Sequence, residues 1–191
     1  MRAIWLREFG PPSVLEPGEA PEPDGGPLIE VAYANITFVE TQVRAGRAPF
    51  EVTLPMIPGN GVGGYLDGRR VVASLGGSGG YAERAVGVEV FDVPKHRSLE
   101  DAVALLADGR TATLLADAAA IAPGERVLVL AAAGGVGTLL VQLAAAAGAH
   151  VIAAASTEAK REVARSLGAA ETCGYDAPPP AVDVVFDGVG G

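Results

Sequence analysis

The stretch that most constrains this chain runs from Arg126 to Ser156. Pro123-Gly124 precedes a short aliphatic run, Val127-Leu128-Val129-Leu130, which leads through Ala131-Ala132-Ala133-Gly134-Gly135-Val136-Gly137 into an alanine-rich segment ending at Gly148. An aliphatic run of that length after a turn signal reads as a buried parallel strand, and the segment beyond the glycines reads as a helix. Residues 149–155 form a second apolar run one helix later. That is the order a strand-helix-strand unit needs, because parallel strands must be joined by a crossover.

A glycine turn between a strand and a helix has a physical use. Glycine lacks the Cβ that would hold a diphosphate away from the backbone, and the free N–H groups and positive dipole end of the next helix attract it. Against the dinucleotide fingerprint G-x-G-x-x-G the chain offers Ala132-x-Gly134-x-x-Gly137, with alanine at the first glycine. Plain strand-to-helix turns share this composition, so the loop alone leaves both readings open. In NAD-binding versions an acidic residue ends the second strand and bonds the ribose hydroxyl. Here that strand runs into Ala154-Ala155-Ser156-Thr157, with Lys160 and Arg161 one turn further on. Two hydroxyls and a cation suit a 2′-phosphate, which a carboxylate would repel, so NADPH is favoured over NADH. Ser156 or Thr157 also reads as a helix cap, with Lys160 and Arg161 as solvated helix charges. Capping occupies one hydroxyl only, so the two readings are compatible. Glu158 sets a negative charge close to the proposed phosphate position.

Composition excludes several classes. The 191 residues carry a net charge of −9, and 49% are hydrophobic. That is enough for one good core or two small ones. The acidic balance and scattered basic residues argue against nucleic acid, whose phosphates need a clustered positive face. A single cysteine, Cys173, leaves no intrachain disulfide and no cysteine-built metal site. The segment 127–155 is apolar enough to attract notice as a membrane span, but Gly134-Gly135, Gly137 and Gly148 divide it into pieces shorter than the roughly 20 residues a span needs. With no signal-like N-terminus, the reading is a cytoplasmic protein outside the membrane.

Before Pro94 the pattern changes. Short apolar segments at 3–6, 28–34, 70–74 and 81–86 are separated by Pro and Gly clusters, which indicates a β-rich domain with one short amphipathic turn at 38–45. Ser98 then opens a helix over 99–107 that meets Asp108-Gly109, and a second helical run covers 111–121. After the second strand of the glycine-turn unit, 158–167 reads as a helix stopped by Gly168, 170–174 as a third strand, 176–180 as a loop and 182–186 as a fourth strand. The fold class is therefore α/β, with the expectation of a sheet truncated after its fourth strand.

The arrangement resembles the medium-chain dehydrogenase/reductase superfamily, specifically its zinc-free quinone oxidoreductase (zeta-crystallin-like) branch. The residues that carry the resemblance are Pro-Met-Ile-Pro-Gly-Asn-Gly-Val-Gly-Gly at 55–64, Gly80-Tyr81-Ala82-Glu83, the loop at 131–137, Ser156-Thr157-x-x-Lys160, and the closing Phe-Asp-Gly-Val-Gly-Gly. The resemblance implies a GroES-like catalytic domain over 1–108 and an incomplete Rossmann NADPH-binding domain over 109–191, with substrate in the cleft between such domains. It implies a phosphate loop at Ala133, Gly134, Gly135, Val136 and Gly137. The 2′-phosphate site would fall at Ser156, Thr157, Lys160 and Tyr175, and the threonine approaching the nicotinamide at Thr111. Zinc-dependent relatives place a cysteine where Thr37 stands and a His-Glu pair where Asn60-Gly61 stands, so no catalytic zinc is expected. Two departures stand out. Thr37 and Glu40 replace a common Asn and Asp, and only four residues separate Gly64 from Arg69, where relatives carry a longer strand and turn.

The function so implied is hydride transfer from NADPH to a small-molecule quinone or enone, with Thr37, Asn60 and Tyr81 lining the reacting end and a homodimer for a full-length form. No residue stands out as a proton donor. His96 and His150 show no evident nucleophile or carboxylate partner of the sort a triad needs. Two other readings are a nucleotide-binding or structural module without turnover, and an enoyl reductase acting on thioester-linked enoyl chains.

Overall fold

The computed structural model describes residues 1–176 and 181–189. The chain divides into two compact units, Met1–Ala107 and Asp108–Gly191. Each is considered by itself.

In the first unit, β1 (Arg2–Leu6) pairs antiparallel with β2 (Leu15–Glu19) after a single 3-10 turn at Pro12–Val14. β3 (Leu28–Asn35) leads into α1 (Phe38–Arg44), and β4 (Gly61–Leu66), β5 (Arg69–Ser74), β6 (Arg84–Val86) and β7 (Glu89–Asp92) follow. Five of these strands form one antiparallel sheet in the order β6-β3-β4-β5-β7. Its core holds Ile29, Val62, Val71, Ala73 and Ala85. Val72 and Val93 pack with Leu99 and Val103 from the start of α2 (Leu99–Ala119).

Half of β4 is glycine, at Gly61, Gly63 and Gly64. The glycines are there for what approaches them. A Cβ on Gly63 would lie 2.0 Å from Val103 Cγ2, and one on Gly64 would lie 2.0 Å from the Glu30 carbonyl oxygen. The short 64–69 connection is a two-residue hairpin in which Asp67 (φ 49) and Gly68 (φ 77) both take the left-handed conformation of a type I′ turn.

α2 runs without interruption through Asp108-Gly109, which corrects the sequence expectation of two separate helices. A mid-helix glycine costs only about 1 kcal/mol relative to alanine. Burial at Leu99 and Val103 in one core and at Ala112 in the other outweighs that cost.

The second unit continues with β8 (Arg126–Val129), α3 (Gly135–Ala146), β9 (His150–Ala154), α4 (Glu158–Ser166), β10 (Glu171–Cys173) and β11 (Val184–Phe186). The strands are parallel in the order β10-β9-β8-β11. Val127, Val129, Val151 and Ala153 pack against Leu140, Val141, Ala144 and Ala164, while Leu128, Ile152 and Ala154 form a second cluster. Side chains buried on both faces are why these strands read as unbroken apolar runs. Gly168 follows the last turn of α4 at φ 111, in the left-handed position expected of it. Of the loop expected at 176–180, residues 177–180 lie outside the described residues, as do the closing Gly190 and Gly191.

Candidate functional site

β8 ends at Val129, and the chain bends sharply, with Ala131 in the left-handed region (φ 48) and the Gly134 amide returning to the Ala131 carbonyl at 2.8 Å. Gly134 is extended at the N-cap of α3. Thr138 is the first residue whose amide reaches a helical carbonyl, that of Gly134 at 2.9 Å. The amides of Gly135, Val136 and Gly137 therefore form the unsatisfied first turn of a helix. A Cβ on Gly137 would lie 2.2 Å from the Ala131 carbonyl oxygen, so this glycine lets the helix lie against the strand end. Gly134 and Gly135 are exposed, Val136 is half-buried and Gly137 is buried. Ala133, Gly134, Gly135, Val136 and Gly137 thus meet at one strand-to-helix turn.

The Ala132 amide donates to the Ala154 carbonyl at 3.1 Å, tying this turn to the end of the neighbouring strand β9. There Ser156, Thr157 and Lys160 are all exposed. Thr157 is the N-cap of α4, and its hydroxyl accepts the Lys160 amide at 3.3 Å. The capping reading therefore applies to Thr157, and the Ser156 hydroxyl remains beside it. Sequence reading gave Arg161 only a passing place. Its guanidinium donates to the Ala155 carbonyl and to Glu158 Oε2, each at 2.9 Å, which fixes a cation at the end of β9. Hydrogen bonds from Arg165 first and Arg161 second hold the Glu158 carboxyl below its ordinary pKa. The negative charge near this corner is thus engaged by two guanidinium groups.

Tyr175 stands between loop and corner. Its hydroxyl accepts the Ala131 amide at 2.9 Å and donates to the Ala154 carbonyl at 3.2 Å. It clasps the residue whose left-handed backbone makes the bend. Thr111 is exposed on α2, one turn beyond Asp108. The two share a helix face, and Asp108 packs directly on Gly135. Sequence reading missed Asp108, because an acid inside a helix carries no motif.

Thr37, Asn60 and Tyr81 lie in the first unit. Thr37 is the N-cap of α1, and its amide donates to Glu40 Oε2. Glu40 Oε1 accepts the Asn60 amide at 2.8 Å, so one carboxylate, only 8% exposed, joins Thr37 to Asn60. Asn60 Oδ1 accepts the Gly77 amide at 2.6 Å. The Tyr81 ring covers Gly59, where a Cβ would lie 2.6 Å from the ring. Partial burial first and the Glu40 charge second push the Tyr81 pKa up to about 12. Its phenol is a neutral hydrogen-bond donor at ordinary pH.

Among the described residues no group of three or more His, Cys, Asp and Glu could hold a metal ion, and no helix is long and apolar enough to cross a membrane. His150 has a carboxylate partner, since its Nε2 lies 2.6 Å from Glu171 Oε1. The pair joins the first residues of β9 and β10, the opposite strand ends from the glycine turn. The spacing of 21 residues hid it.

Residues 135–191 match the family described as zinc-binding dehydrogenase. A probable quinone oxidoreductase of Schizosaccharomyces pombe is 36% identical over 98% of this chain and 64% of its own length. The chain therefore spans less than two thirds of that relative. Among solved structures, the quinone oxidoreductase of Thermus thermophilus, determined with and without NADPH, is similar at 38% identity and a TM-score of 0.83, over 92% of this chain and 60% of its own. The quinone oxidoreductase of Coxiella burnetii is similar at 30% identity and a TM-score of 0.92, over all of this chain and 69% of its own.

Proposed function

Because this chain belongs to the quinone oxidoreductase branch of the medium-chain dehydrogenase/reductase superfamily, we propose that it serves an NADPH-dependent reductase of quinones or activated alkenes that works without metal. The observation that carries this reading is the glycine turn at Gly134-Gly135-Val136-Gly137, tied to a strand end that is followed by Ser156, Thr157 and, on α4, Lys160 and Arg161. The residues fit the cofactor. The free first-turn amides suit a diphosphate, and hydroxyls with cations in place of a terminal acid suit a 2′-phosphate.

NADPH, when bound, supplies hydride to an electron-poor carbon of the substrate. The chain's own part is to hold and orient. The α3 amides bind the diphosphate, while Ser156 and Lys160 with Arg161 engage the 2′-phosphate. Tyr175 keeps Ala131 in the conformation that aims those amides. Thr111, exposed on α2, is the residue this reading assigns to the nicotinamide end. Thr37, Asn60 and Tyr81 of the first unit are the residues this reading assigns to the reacting end, where the neutral Tyr81 phenol would offer a hydrogen bond to charge developing on the substrate oxygen. Thr37 and Asn60 replace zinc-binding side chains, and they are poor ligands for that ion.

The test follows NADPH oxidation at 340 nm with a panel of quinones and enones, using a full-length protein that contains this chain. Turnover is expected with electron-poor acceptors and without added metal. Tight NADPH binding with no turnover of any acceptor would leave only a nucleotide-binding module.

A further inference from the structure

Gly135 has a neighbour that a diphosphate seat does not ordinarily want. A Cβ built on it would lie 1.9 Å from Asp108 Oδ2 and 2.8 Å from Asp108 Cγ. The carboxylate is therefore packed on the Cα of Gly135, the first residue of α3. Asp108 comes from the middle of α2, well away from the ends of its own helix. Its position matters to α3, whose positive end favours a nearby anion. A carboxylate there and a diphosphate there draw on the same field, and at such separations two anions oppose each other in a partly dehydrated site.

We propose that Asp108 is a built-in competitor at the dinucleotide site: its carboxylate stabilises the α3 N-terminus when the site is empty and weakens the binding of any ligand that puts a diphosphate on Gly135-Val136-Gly137. This rests on the reading of that turn as the diphosphate seat. It adds a residue that sets the strength of binding without setting the choice between dinucleotides. The 2′-phosphate is met at the Ser156 corner, whereas Asp108 meets the part that NADPH and NADH share.

The experiment is calorimetric titration of NADPH and NADH into the wild-type chain, Asp108→Asn and Asp108→Ala, at low and high salt, with circular dichroism to establish that all three are folded. Asparagine keeps the shape and removes the charge. Alanine excludes a new hydrogen bond from the amide as the cause. Both variants are expected to bind both dinucleotides about 5- to 50-fold more tightly at low salt, with the gain shrinking as salt screens the repulsion. Without ligand, their melting temperatures are expected at or below that of the wild type, because α3 has lost its anion. Unchanged or weaker binding by the two variants, or a gain confined to NADPH, would overturn the role of Asp108 while leaving the cofactor reading intact. Failure of all three proteins to bind either dinucleotide would overturn both.

Discussion

Gly137 and Gly135 are neighbours in one motif, yet each is needed for a different reason. At Gly137 an added methyl meets the Ala131 backbone, which cannot move without unwinding the bend; at Gly135 it meets the end of the Asp108 side chain, which can rotate. Gly137→Ala is therefore expected to cost about 1–3 kcal/mol of stability, in the range of overpacked sites, and Gly135→Ala less than about 1 kcal/mol. Denaturant midpoints of the two variants check this, and equal losses would contradict it. At Tyr81 the raised pKa carries a definite sign. The folded chain keeps this proton to about pH 12, whereas an ordinary tyrosine loses it near 10.0. The stabilising contribution is complete below pH 10.0 and is lost as pH rises toward about 12. Tyr33 is also raised, first by its hydrogen bond to Glu100, so the check is that phenolate absorbance at 295 nm loses a component titrating toward about pH 12 in Tyr81→Phe. Single-residue roles were only partly legible in the sequence. Ser156, Thr157 and Lys160 could be placed from the strand-helix pattern, but which hydroxyl caps α4 is decided by a bond from Lys160 that spacing alone does not choose. Asp108 and the His150–Glu171 pair depend on tertiary proximity, which no local pattern announces.

Elements were legible where periodicity decides them and obscure where glycine does. The runs that became β8 and β9 are buried on both faces, so their apolar sequence and their structure say the same thing. β4 was lost because its glycines lower strand propensity, while their real role is to admit the Val103 side chain and the β3 backbone. The Asp67-Gly68 dipeptide was the signal that could have found it, since it demands a two-residue hairpin between paired strands. The division of α2 at Asp108-Gly109 was the opposite error, a glycine read as a stop where burial on either side carries the helix through. At α1 the capping box does more than close a helix. Its acid, Glu40, accepts the amides of both Thr37 and Asn60 from a buried position. Glu40→Ala would leave both donors without that acceptor and is expected to cost about 1–3 kcal/mol, with Glu40→Gln costing less. Thermal unfolding of the two variants checks the order, and an Ala variant as stable as the parent would contradict it.

At the scale of the whole molecule, the sequence indicated a β-rich half followed by an α/β half, and the chain separates into units at Ala107 and Asp108. The parallel order β10-β9-β8-β11 follows from one strand-helix-strand unit extended on either side. That is why a single glycine-containing stretch disclosed so much of the second unit. The first unit was less readable because its strands are short, pair across long separations and are shaped by close backbone approaches. The central claim concerns the dinucleotide and is tested most directly by calorimetric titration of NADPH and NADH into the wild-type chain and Lys160→Ala. The account predicts that NADPH binds the wild type more tightly than NADH does, and that Lys160→Ala costs about 1–3 kcal/mol for NADPH, the worth of a charged hydrogen bond, with NADH unchanged. Equal losses for both dinucleotides, or tighter binding of NADH than of NADPH by the wild type, would contradict it.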